Sequence, residues 1–164
     1  MNRFGIVAAL VFVGTVFAAN WAIERYGLVP VGFGLRAPAG VYFAGLAFAL
    51  RDVVQETLGR RVVVGAILAG TAASYLVSPT FAVASGTAFL LSELADFAVY
   101  TPIRERTLAG GIAVSQAVGA AVDSALFLWL AFGSLAFFSG QFVGKMWMTL
   151  PALLAVGGWR MTRR

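Results

Sequence analysis

At 164 residues the chain has room for one domain and little for a second. It is 60% hydrophobic and only 12% charged, with a mean hydropathy of +0.89; a soluble domain carries about twice that charge, and a fold of this size cannot hide so much apolar surface from water. With no cysteine and no histidine, disulfides, thiol nucleophiles and the commonest metal and acid–base side chain are excluded, and the net charge of +5 fits basic cytoplasmic loops better than nucleic acid.

Taken in order, the chain reads as an all-α integral membrane protein: one domain, 1–164, of six transmembrane helices. The uncharged run Phe4 to Ile23 is long enough to cross a hydrocarbon core of about 20 helical residues. Arg3 and the small residues Ala18 and Ala19 give it a signal-peptide look, but further apolar segments follow and it reads as a retained helix near 4–24. Gly27 to Pro38, with Pro30, Gly32 and Gly34, reads as a breaker-rich loop. A second helix is expected near 39–58, leaving the membrane at Arg60 and Arg61. Val62 to Ser92 is uncharged for 31 residues, too long for one crossing, and Ser78-Pro79-Thr80 divides it into helices near 62–77 and 80–100. The last apolar stretch divides at Gly133-Ser134, giving helices near 108–131 and 135–158.

Charge placement supports that count. Six spans put nine basic residues on one side (Arg3, Arg51, Arg60, Arg61, Arg104, Arg106, Arg160, Arg163, Arg164) and two, Arg25 and Arg36, on the other, with Lys145 inside a span. Both termini are therefore expected in the cytoplasm. The small residues Gly65/Ala69/Ala73 and Gly140/Gly144 have the spacing of close helix packing.

Ionised side chains at membrane depth cost about 2.5–3.5 kcal/mol each on insertion scales, and their spacing here is periodic. Asp52, Gln55 and Glu56 share one helix face. Glu93 and Asp96 stand three apart, and Ser92, Asp96 and Tyr100 four apart. Ser115, Gly119 and Asp123 repeat every four residues with Gln116 beside them. Gln141 and Lys145 are four apart, as are Asn20 and Glu24. Five stripes can thus face one cavity. Arg51, Glu56, Glu24 and Arg25, near helix ends, fit headgroups equally well, whereas Asp123 and Lys145 lie deep in their spans. Lys145 is expected to pair with Asp123, Asp96 or Glu93, leaving acceptors for a ligand rich in N–H donors.

Ala44 through Arg61, Ser92 through Arg104, Ser115 through Phe127, and Gln141 through Lys145 to Pro151, with Asn20 closing the first helix, resemble in order the motifs of the queuosine-precursor transporters, the VUT family. Leu58 departs from the aromatic residue common before Gly59, and the loops are short for the family. The resemblance implies uptake of 7-deazaguanines such as 7-cyano-7-deazaguanine across a bacterial inner membrane. It also implies a fold similar to the substrate-binding subunits of energy-coupling-factor vitamin transporters. Candidate binding residues are Asn20, Asp52, Glu56, Glu93, Asp96, Gln116, Asp123, Gln141 and Lys145, with Phe127, Trp129, Trp147 or Tyr100 to stack on the base. A carboxylate accepts the adjacent N–H and NH2 of the deazaguanine edge, and Lys145, Gln141, Gln116 or Asn20 donates to its carbonyl.

No cofactor or metal is expected. Enzymatic readings fare poorly: Ser139 and Lys145 are six apart, on different helix faces, and Asp96 and Asp123 lack the Gly-rich flanks of intramembrane aspartyl proteases. No GxxxxGK[ST] loop occurs, so ATP-driven uptake would need a separate energising partner. The competing reading is a structural or accessory membrane subunit whose polar residues pair among themselves and whose bundle packs solid.

Overall fold

The computed structural model describes residues 3–104 and 108–148, without the side chains of Glu56, Phe97, Tyr100, Thr101, Arg104 and 108–113. The side chains of the binding candidate Glu56 and the stacking candidate Tyr100 therefore lie outside the described part of the molecule. So do the end of the last expected helix and Arg106, Arg160, Arg163 and Arg164. Most of the chain is helical: α1 (Arg3–Tyr26), α2 (Val41–Leu58), α3 (Arg60–Tyr75), α4 (Pro79–Arg104) and α5 (Leu108–Phe132), then α6, described from 138 to 148.

Local chemistry sets the breaks. Gly59, at φ 84°, is the whole connection between α2 and α3, and its N–H still reaches Gln55 O at 3.0 Å. A left-handed residue here is cheap only for glycine. The arginine pair expected in a loop thus opens α3 instead. Pro79 starts α4, where its missing N–H costs nothing. Gly133, at φ 63°, ends α5, with its N–H on Trp129 O at 2.9 Å.

One segment departs from the all-helical expectation. Between α1 and α2 the chain forms a two-stranded antiparallel hairpin, β1 (Leu28–Gly32) and β2 (Leu35–Pro38), with Leu28 opposite Pro38 and Val29 opposite Ala37. Its two-residue turn, Phe33-Gly34, has φ 52° and 72°, the paired positive values that match strand twist. Pro30 and the glycines mask the strand signal in the sequence. Tyr42 Oη donates to Pro30 O at 3.0 Å and ties the hairpin to α2.

Gly5 meets Thr57 and Leu58 while Gly40 meets Ala19 and Ile23, so α1 and α2 run antiparallel in close contact. Gly70 of α3 lies on Val16 of α1, Gly86 of α4 on Thr71 of α3, and Gly45 of α2 on the backbone of Lys145 in α6. Gly140 and Gly144 do serve close packing, against Arg36 and Val41, whereas Gly65 faces open space. Phe12, Val16, Phe48, Val54, Ile67 and Phe89 form the main apolar core. Leu10, Phe17, Leu68, Leu76, Leu94 and Trp129 point outward, large apolar side chains that suit a lipid surrounding. By length and composition, α1 and the Val114–Phe132 part of α5 suffice to cross a bilayer. α3, with 16 residues, is shorter than the ~20 that a straight crossing takes, and α2 carries Arg51, Asp52 and Glu56.

Candidate functional site

A cleft lies between the helices, lined by residues of all six. Its lining extends from Ile23 and Gly40, near the hairpin, to Ile67 and Phe89. Its polar lining comes from four helices: Thr15 and Asn20 of α1, Ser85 of α4, Asp123 of α5, and Gln141 and Lys145 of α6. Phe89 and Phe127 supply flat apolar walls.

Lys145 is 1% exposed. Its Nζ donates to Asp123 Oδ2 at 2.5 Å and to Ser124 Oγ at 2.8 Å, and lies 5.9 Å from the Phe48 ring centre. The pair is electrically neutral as a unit, the arrangement in which a buried charge is tolerated. Of the three partners expected for Lys145, the structure selects Asp123 and adds Ser124.

Asn20, 0% exposed, donates from Nδ2 to Val16 O at 3.2 Å and to Ser85 Oγ at 3.0 Å. A carbonyl oxygen only accepts, so this fixes which end of the amide is nitrogen. Its Oδ1 then has no partner among the described residues. Asn20 therefore brings an acceptor, not the spare donor its sequence position was expected to give. Gln141, 2% exposed, likewise has an unpartnered Oε1. Buried polar atoms without partners are uncommon in native folds and mark places where a ligand or water completes the bonding.

The remaining candidates come together elsewhere. Arg51 makes ion pairs with Asp52 (2.9 Å), Glu93 and Asp96 (3.5 Å), and Gln116 Nε2 donates to Asp52 Oδ2. None of these five lines the cleft. The stripes expected around one cavity thus form two groups. Of the aromatic candidates, Phe127 lines the cleft and Trp129 points outward. Trp147 donates to Val31 O at 3.1 Å and stacks on Phe33. Sequence reasoning missed Ser85 and Phe89, for which helical spacing offers no signal distinct from ordinary packing residues.

Among known families, the one described as "Putative vitamin uptake transporter" matches residues 74–157, just over half of the chain. The chain belongs to this family. The match runs from the end of α3 through α4 and α5 into the Gln141–Lys145 stretch, and so covers both sides of the Lys145–Asp123 pair. No curated protein and no solved structure matches the chain. A membrane transporter of small molecules is what this membership and the apolar helices together indicate.

Proposed function

We propose that the protein imports a queuosine precursor, 7-cyano-7-deazaguanine or a related 7-deazaguanine, as a six-span protein of the bacterial inner membrane with both termini cytoplasmic. The reading includes a helix arrangement like that of energy-coupling-factor substrate-binding subunits. The observation that carries it is the donor–acceptor balance of the cleft. Asn20 Oδ1 and Gln141 Oε1 have no partner among the described residues, and the Asp123 carboxylate lines the same cleft, so the site suits a ligand with several N–H donors. A deazaguanine has such donors on adjacent atoms of one edge, and Phe89 and Phe127 line the same cleft as apolar surfaces for its ring. Lys145 or the Gln141 amide nitrogen then serves the base carbonyl.

The accessory-subunit reading gains from the internal Lys145–Asp123 pair, but it requires solid packing where the cleft lies. Uptake of labelled 7-deazaguanines by cells unable to make them, with and without this gene, is the deciding experiment. Gene-dependent uptake that guanine-like compounds compete for, and adenine and hypoxanthine do not, is the expected result. Gene-independent uptake, or competition by a vitamin alone, would overturn the substrate assignment.

A further inference from the structure

Arg51, Asp52, Glu93, Asp96 and Gln116 stand one level further in than the cleft. On α2 the cleft takes Ala44 and Ala47, and Arg51 follows one turn later. On α4 it takes Ser85, Gly86 and Phe89, with Glu93 one turn on; on α5 it takes Asp123, and Gln116 lies two turns back toward the start of the helix. Each step leads toward the end of the bundle where Arg60 and Arg61 lie. Between the levels, Phe89 stacks on Phe48 at 4.9 Å and meets Phe12 at 5.7 Å, with all three rings buried. A molecule in the cleft would have to pass these rings and then the Arg51 cluster to reach that end.

We propose that Arg51, bound to Asp52, Glu93 and Asp96, is the inner gate of the transport path, shut in this structure, with Phe12, Phe48 and Phe89 as its apolar seal. The proposal rests on the transporter reading but not on the identity of the substrate. Arg51 is 4% exposed, and through it and Asp52 the helix α2 is tied to α4 and α5 by long side chains. Close helix packing runs instead along α1–α2, α1–α3, α3–α4 and α4–α5. Such a tie opens by rotating side chains and admitting water, and the Phe48–Phe89 stack is the packed contact between α2 and α4 that must part with it. A buried ion pair adds little stability over an apolar substitute, and its best-attested use is as a register or switch element. Arg51 also has three carboxylates to choose from, and Asp96 Oδ1 and Gln116 Oε1 have no partner among the described residues. The guanidinium can therefore exchange acceptors as the two sides part. On this reading Asp52, Glu93, Asp96 and Gln116 act on passage rather than on recognition.

The chain has no cysteine, so one introduced thiol reports access without background. In Ala44→Cys, whose new thiol lines the cleft, a charged membrane-impermeant thiosulfonate is applied to either face of oriented vesicles. Labelling from the hairpin face only is expected. Adding Arg51→Ala or, separately, Phe48→Ala or Glu93→Gln should raise labelling from the Arg60–Arg61 face at least tenfold. Hairpin-face labelling within twofold of the parent identifies the folded variants. If the folded variants among the three label from the inner face no faster than the parent, the gate is disproved. No substrate enters the measurement, so a wrong deazaguanine assignment would leave this result standing.

Discussion

Lys145 and Asp123 each depend on the other for tolerance of burial. Lys145→Met should strand the Asp123 carboxylate at a cost of about 3–5 kcal/mol and abolish uptake. Lys145→Met combined with Asp123→Leu should recover much of the thermal stability in detergent and none of the uptake. If the single variant transports normally, the pair is incidental to function. Asp123→Asn keeps the size but turns a donor toward donors, so ligand affinity measured by calorimetry should fall by about 1–2 kcal/mol or more. Unchanged binding would show that the carboxylate does not read the base. That Asp123 and Lys145 are buried was readable, since both lie deep in uncharged runs, but the choice of Asp123 over Asp96 or Glu93 as the partner was not. Arg51 was harder: near a helix end, it fits headgroups as well as a buried cluster, and only the position of α4 decides between them.

At the scale of elements, the helices sit where some glycines allow a backbone to approach, while others have no such role. A Cβ on Gly45 would come within 2.6 Å of Lys145 O and 3.0 Å of Met148 Cβ. Gly45→Val should therefore push α6 off α2, cost about 1–3 kcal/mol as an overpacked site does, and weaken ligand binding by moving Lys145. Gly65→Ala, where nothing lies within 4 Å, should be neutral or stabilising by up to about 1 kcal/mol through helix propensity. Melting curves of both variants check the contrast, and equal effects would refute the packing account. The sequence suggested that both small-residue series pack, because spacing cannot say which face of a helix finds a neighbour. The hairpin was illegible for a different reason: Pro30, Gly32 and Gly34 are loop residues by propensity, and pairing to β2 is what makes them a strand and turn.

At the scale of the molecule, among the described residues, Arg3, Arg60 and Arg61 share one end. Arg60 and Arg61 open α3 and Arg3 opens α1, while Arg25 and Arg36 stand at the hairpin end. Reporter fusions at the Pro79 turn and after Arg164 should report opposite sides of the membrane, as the asymmetry of basic loops requires. Both on one side would refute six spans. Helical periodicity revealed five polar stripes but not that they occupy two depths, because spacing within a helix carries no information on how far one helix is shifted along another. Stagger comes from packing, through contacts such as Gly86 on Thr71 and Gly70 on Val16.

The Lys145–Asp123 pair has a further consequence for energetics. Voltage does work on a moving charge of about 2.3 kcal/mol per elementary charge per 100 mV. Where the two fixed charges of the cleft cancel at hydrogen-bond distance, a neutral base, bound there as proposed, would present the membrane field with no net charge to act on. Initial uptake rates should then be the same in vesicles held at zero and at an imposed inside-negative diffusion potential. A several-fold acceleration by voltage would mean that a charge travels with the base.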